Sequence, residues 1–306
     1  MVPSKPLAGN LYLESSISKS IVIFSYARAD LLRECIQSVL LASGSEEWKK
    51  VLVWQEGHPE VYAVVEKFRS EFDLVVLIKP QYATALGNIN QNRIIGSTIC
   101  FDSLGSDYVL GIEEDSMIGF DALVFIDDMV KRYGNSSAFR GVNLGSLEKT
   151  ALSELGDFSL VRFGLHGQGG VLTKETWEKI DLQKLLKNIS AEGWDSRIEY
   201  VTKSGFMVTP NASRLLDRGW VGTHAPTDPD HPYFSKMRES WVGTNQFEIP
   251  RYRLRNIRHS WRKDAVLYRK RDSIPFLLRN TSVGHSIYKS WRHLHLPRLK
   301  YENGSN

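Results

Sequence analysis

Residues 108–118 read YVLGIEEDSMI, an apolar, β-branched run that stops at three consecutive carboxylates, Glu113, Glu114 and Asp115. Clustered acids make a poor core element, because burying an unpaired charge is strongly unfavourable. They suit a hard divalent cation, which takes oxygen ligands. In open α/β sheets ligands bind beyond the carboxyl ends of the strands, so the triplet marks the candidate site. The competing reading is that these acids only cap a helix expected to start near Phe120.

The flanking sequence sets the triplet in an α/β chain. IVIFSYAR, Ile21–Arg28, reads as a buried strand, with Asp30 as N-cap of the amphipathic helix LLRECIQSVLLAS. A second strand, Val51–Gly57, a helix over Glu60–Glu71 and a third strand, LVVLIKP, follow. A helix from Leu86 to Leu104 then leads into the strand that carries the acids. Strand and helix alternate at βα spacing, which predicts a largely parallel central sheet flanked by helices. After the triplet, FDALVFIDDMVKRYG reads as a helix stopped at Gly134. Residues 138–170 are glycine-rich and read as strands with loops, whereas Thr173–Leu186 and Pro210–Arg218 read as helices. The Gly-, Pro-, Asp- and His-dense stretch from Gly219 to Trp241 reads as a mobile loop.

Composition narrows the classes. The chain has 306 residues, 42% hydrophobic and 24% charged, enough for a sizeable core. No run approaches the ~20 apolar residues that cross a bilayer, and the N-terminus has no secretory apolar segment, so a cytoplasmic protein is expected. Cys35 and Cys100 sit in apolar contexts and read as buried thiols, neither a disulfide framework nor a zinc cluster. Charge is unevenly placed: residues 251–306 hold 14 Lys and Arg against 3 Asp and Glu, and the rest of the chain holds 25 against 32. We therefore divide the chain into a catalytic domain over 1–250 and a basic, aromatic-rich extension over 251–306. Basic amphipathic segments bind anionic membrane surfaces, and no fold signature for nucleic acid accompanies this one. A solvated basic face is the plainer alternative for the same residues.

Strand FSYAR, strand WQEGH, an acidic triplet after an apolar strand and a later GWD loop together resemble the inverting GT-A glycosyltransferases. Among these, N-acetylglucosaminyltransferase I and the O-mannose β-1,2-N-acetylglucosaminyltransferase are the nearest in motif. The resemblance spans about Ile21–Ala225 and implies the nucleotide-diphospho-sugar transferase fold, a UDP-sugar donor, Mn²⁺ or Mg²⁺, and a glycan or glycolipid acceptor. It implies that Arg28 and Glu56 hold the nucleotide, that Asp115 binds the metal, and that Glu113 and Glu114 contact ribose and donor sugar. The family's triplet is Glu-Asp-Asp and its second strand ends in Asp, so Glu114 and Glu56 are departures. LHGQGGVLTKETWEKI, with Gly169 and Trp177, resembles the family's glycine-rich turn and helix on the acceptor side. Trp194 and Asp195 match the start of its Trp-Asp-Asp-Trp segment, which implies Asp195 as the base that takes the acceptor hydroxyl's proton. Ser196 and Arg197 stand where the family has its second Asp and Trp. His224, in the GWVGTHA turn, is implied as a phosphate or metal contact in a loop that closes over the diphosphate.

Plainer readings exist for each residue: helix entry for Arg28, a solvated acid for Glu56, core packing for Trp177, an N-cap for Asp195 and a bystander for His224. Two other functions fit the same parts. A nucleotidyltransferase also holds a metal on sheet-edge acids, but FSYARADLL lacks the glycines of a phosphate loop. A non-catalytic glycan-binding or membrane-associated scaffold needs no chemistry at all.

Overall fold

The structure, a computed structural model, describes residues 17–146, 158–161, 168–187, 189–191, 193–194, 198, 201–202, 205–221, 228–241 and 243. The basic extension at 251–306 lies outside the described residues. The elements of the first half are β1 Lys19–Ser25, α1 Ala29–Leu41, β2 Lys49–Gln55, α2 Pro59–Phe68, β3 Leu74–Ile78, α3 Ala85–Thr98, β4 Tyr108–Glu113, β5 Ser116–Ile118 and α4 Ala122–Tyr133. They are followed by β6 Phe139–Asn143, β7 Phe158–Val161, β8 Gly170–Thr173, α5 Lys174–Trp177, α6 Leu182–Lys187, β9 Phe206–Pro210, β10 Leu215–Asp217 and α7 Pro232–Ser240.

Among the described residues eight strands form one sheet in the order β3-β2-β1-β4-β8-β6-β9-β7, and β5 and β10 form a small second sheet. The α/β class expected from the strand and helix alternation is the class observed. The first four strands are mutually parallel, because each returns through a helix. Beyond β4 the sheet is mixed: β8 runs antiparallel to β4 and β6, β6 and β9 are parallel, and β7 is antiparallel to β9.

One core layer packs α1, α2 and α4 residues such as Leu32, Ile36, Val61 and Ile126 on Ile21, Ile23, Leu52 and Ile112. The opposite layer sets Ile94, Cys100, Phe101, Trp177 and Trp194 on Val22, Val51, Val53 and Val109. A strand buried on both faces reads as a continuous apolar run, which is why β1 and β4 were legible. Both cysteines are buried and free, as expected. No helix among the described residues is long and apolar enough to cross a membrane.

Three expectations fail. Asp30 lies in the first turn of α1, and Arg28 is the residue at its N-cap position. Pro210–Arg218 is not helical: the segment leaves β9 and forms β10, whose residues pair with β5. Its apolar residues, Ala212, Leu215 and Leu216, are too few to choose a helix against available strand partners. Gly219–Trp241 is not simply a loop, since α7 lies within it. Phe234 and Met237, one helical turn apart, are fully buried there, and Met237 Sδ accepts from Asp217 N at 3.1 Å.

Gly141 shapes the second half of the sheet. Its φ is +149° beside a register shift in the β6–β9 pairing, and a Cβ on it would lie 1.8 Å from the Val171 carbonyl oxygen. Backbone cannot yield as a side-chain tip can. Gly141→Ala is expected to lower stability by about 3 kcal/mol or more, measured by urea unfolding; a loss within the range of ordinary surface changes would show that β6 tolerates a side chain there.

Candidate functional site

β1, β2 and β4 end side by side, so the loop after β1, the turn after β2 and the acidic turn after β4 share one edge of the sheet. Phe24 pairs with Glu113 in the β1–β4 register, and Glu114 N donates to Phe24 O at 2.9 Å. That places the acids against residues 25–28.

Glu114 is 2% exposed, and donors from this loop converge on both of its oxygens. Oε2 accepts from Ser25 Oγ and Tyr26 N, each at 2.7 Å, and Oε1 accepts from Ala27 N at 3.3 Å and Arg28 Nε at 2.9 Å. A buried carboxylate held by this many donors orders the loop that surrounds it. Its carboxylate is engaged with the protein, so a direct ribose contact would require displacing one of these donors.

Arg28 spans the two neighbouring acids, with Nη1 2.8 Å from Asp115 Oδ2. Asp115 is 4% exposed, and its Oδ1 is buried without a hydrogen-bond partner. Burial, and next the charge of Glu113, push its carboxyl up to about 7, with Arg28 pulling the other way and Asp217 and Glu114 adding to the rise. The attraction of one guanidinium is outweighed because a buried carboxylate with like-charged neighbours resists ionisation.

Asp217 was not legible as a site residue. Antiparallel pairing of β10 with β5 sets Asp217 opposite Ser116, the residue after Asp115. Gly219 then passes between the two carboxylates: a Cβ on it would lie 2.7 Å from Asp115 Oδ2 and 2.9 Å from Asp217 Oδ1. Only a residue without a side chain leaves that space open. Gly219 N donates to Asp217 Oδ1 at 2.7 Å, and Arg218 N donates to Asp115 O at 2.8 Å. The Arg218 guanidinium is ion-paired with Glu34.

Glu113, 24% exposed at its side chain, pairs with Arg93 Nη2 at 2.5 Å, and Gln168 Nε2 lies 3.4 Å from its other oxygen. Arg93 is buried in α3, its guanidinium 5.1 Å from the Phe24 ring centroid. Nothing in the sequence singled it out. The signal available was the stretch NINQNR: α3 buries Asn90, Gln91, Asn92 and Arg93, a polar face unsuited to a core unless it is bonded. Gln55 Nε2 at the end of β2 donates to Asn92 Oδ1 at 3.0 Å, and Asn90 Nδ2 donates to Ile189 O at 2.6 Å.

The remaining expected residues separate. Glu56 is exposed at the end of β2, near the edge-to-face pair of Tyr26 and His58, whose centroids are 5.0 Å apart. Gly169 has a φ of +93° and donates its N–H to Gly111 O at 2.9 Å. Trp177 is buried and stacked on Phe101 at 5.3 Å, so its ring serves the core. Trp194 is buried 6.2 Å from Trp177 and borders a pocket with Arg93, Ser97, Gly111 and Gly170. Asp195 and His224 lie outside the described residues.

Among the described residues no group of three or more His, Cys, Asp or Glu side chains is set to hold a metal ion. A cation here would take one or two carboxylates and draw its other ligands from water and phosphate, as Mg²⁺ commonly does. The unpartnered Oδ1 of Asp115 fits such an ion, whereas the space beside Gly219 borders Oδ2, the oxygen that Arg28 holds. The charge fits as well: Glu113, Glu114, Asp115 and Asp217 stand against the guanidiniums of Arg28 and Arg93.

No family model matches the chain, and no curated protein matches it. Among solved structures it is similar in fold to S. aureus TarS residues 1–349, with a TM-score of 0.46 and 9% identity over 73% of this chain and 71% of that one. The same segment in complex with UDP gives 0.40 and 14% over 63% of this chain and 57% of that chain. A longer S. aureus TarS structure gives 0.48 and 15% over 89% of this chain. The chain spans 45% of the length of that longer structure.

The raised Asp115 carboxyl has a thermodynamic consequence. The folded protein keeps a proton up to about pH 7 that the unfolded chain, with the ordinary value of 3.8, releases earlier. Stability of the metal-free protein therefore falls as pH rises across that window and levels off above it. Asp115→Asn is expected to remove this component of the slope and to unfold at a higher temperature than wild type at pH 8, with little difference at pH 4. Thermal melts in chelator check it; a variant less stable than wild type at pH 8 would contradict the assignment.

Proposed function

We propose that the chain is a metal-dependent inverting glycosyltransferase that moves a sugar, GlcNAc, from a UDP-sugar to a hydroxyl of a glycan or glycolipid acceptor. The observation that carries this reading is the Asp115 Oδ1 atom, buried without a partner at the carboxyl end of the parallel strands, with Asp217 across Gly219. A divalent ion bound there would supply positive charge to a departing diphosphate.

The chain's own residues do the rest. Asp115, with Asp217 beside it, holds the cation, and Glu114 keeps the Ser25–Arg28 loop folded against it. Arg28 offsets the carboxylates in the resting protein and lies within reach of phosphate once it turns from Asp115. Glu56, with Tyr26 and His58 nearby, is proposed to receive the base, a carboxylate there accepting the uracil N3 hydrogen. Arg93 fixes Glu113 for a polar contact to ribose or donor sugar. Asp195 is the proposed base, taking the proton from the acceptor oxygen as it attacks the anomeric carbon from the face opposite the leaving group. The position of the preceding Trp194, beside Arg93 and Gly111 in one pocket, supports that role. Gly169 lets backbone approach the acceptor side closely, and Trp177 supports that wall from the core. His224 is proposed to close on the diphosphate, and the 251–306 extension to rest on an anionic membrane surface.

Titration calorimetry with UDP and Mn²⁺ tests the reading. Metal-dependent binding is expected; Asp115→Asn should abolish it, and Asp217→Asn should weaken it by about tenfold, the scale of one lost polar contact. UDP binding unaffected by Mn²⁺ and by Asp115→Asn would overturn the metal role, and no UDP binding at all would favour a scaffold. With donor and acceptor supplied, Asp195→Asn should retain UDP binding and lose transfer; full transfer activity would remove Asp195 as base.

A further inference from the structure

Among the described residues β3 is the edge strand on the parallel side of the sheet. Its sequence, LVVLI, contains no charge and no proline, yet Leu74 is 36% and Leu77 49% exposed, and Val75 and Val76 are half-buried. Natural sheets blunt such edges with charge, proline or a bulge, because unpaired N–H and C=O groups invite another strand. Here the blunting residues stand only at the ends: Glu71 and Asp73 before the strand, Lys79 and Pro80 after it, all exposed.

The backbone directions settle which groups face outward. Ile78 O accepts from Glu56 N at 3.0 Å, so the peptide groups of Ile78 face β2. Alternation along the strand gives Val76 the same direction and leaves the N–H and C=O of Val75 and Leu77 on the open edge. Leu77 lies opposite Trp54 in the β2–β3 register, and the Trp54 ring contacts Tyr62, itself 51% exposed on α2. The edge therefore continues into an apolar strip on one face.

We infer that the outer edge of β3 pairs with β3 of a second copy of this chain, antiparallel and about a two-fold centred on Val76. The symmetry of the charges selects that occupant. Asp73 and Lys79 stand at equal distances on either side of Val76, so this register brings each Asp73 near the Lys79 of the other copy; Asp73 Oδ2 accepts from Lys50 N at 2.7 Å on the β2 side, so the match is one of charge along the edge. The same register makes Val75 and Leu77 of opposite copies a hydrogen-bonded pair, which uses the backbone groups that face outward. It also brings the two Leu77 side chains and the Tyr62 strips to one face. A shift by one residue would lose the charge match and the backbone pairing together. Exposed ion pairs of this kind add little affinity and act mainly on register.

Sedimentation of the full chain over a concentration series tests this. A two-chain species is expected. Lys79→Glu sets like charges opposite each other twice and should weaken that species by about tenfold, and Asp73→Asn with Lys79→Glu, which removes the repulsion and keeps an oxygen for Lys50 N, should recover most of it. Leu77→Lys, a change that edge strands tolerate, should give single chains whose melting temperature does not depend on concentration and equals that of wild type diluted to single chains. Amide exchange at Val75 and Leu77 should be slow in wild type and fast in Leu77→Lys. A single-chain mass at the highest soluble concentration overturns the inference, whether the edge amides exchange fast or are protected by another segment of the same chain. So does a two-chain species that is indifferent to Lys79→Glu, or one that Asp73→Asn with Lys79→Glu does not recover.

Discussion

The ion pair that Arg28 makes with Glu114 and Asp115 is the interaction on which the site depends. It joins the loop after β1 to the turn after β4, two segments far apart in sequence. Removing the cation of a buried pair costs about 3–5 kcal/mol, because the carboxylate is left uncompensated. Glu114 bears most of that role, since every donor it receives comes from residues 25–28. The loop geometry at the sheet edge is thus set by an acid that a motif reading would have assigned to a ligand.

Asp115 differs from Glu114 by the environment of one atom. Its neighbour accepts four donors, whereas Asp115 has one guanidinium on one oxygen and nothing on the other. The result is a carboxyl pushed up to about 7 in a site where Asp217 adds a further negative group. A fold that stores an undersatisfied acid in this way gives up stability at neutral pH unless a cation reaches it. The packing there also explains Gly219, where a Cβ would press on both carboxylates.

Beneath this edge, α3 is an unusual support. Its buried face is largely amide and guanidinium, and those groups tie the ends of β2 and β4 to the helix through Gln55 and Glu113. A polar network with its members bonded holds one geometry more narrowly than apolar packing does. α3 thereby positions the strand ends that carry the proposed site.

What the sequence by itself determined is the α/β class, the run of parallel strands and the grouping of acids at the carboxyl end of β4, residues 113–115. These follow from local information: apolar runs of strand length, helices at βα spacing, and acids where an apolar strand stops. The thiols Cys35 and Cys100 were likewise legible as core from their neighbours. Only the tertiary structure decided that β8 enters the sheet antiparallel, that residues 215–217 are a strand, and that α7 forms with Phe234 and Met237 inward. It alone placed Asp217 beside Asp115, Arg93 under Glu113, and Glu114 inside the protein. The physical reason is common to all of these. Short segments have weak intrinsic preferences and take their form from partners distant in the chain, and whether a carboxylate serves the fold or a ligand depends on which donors the folded chain brings to it.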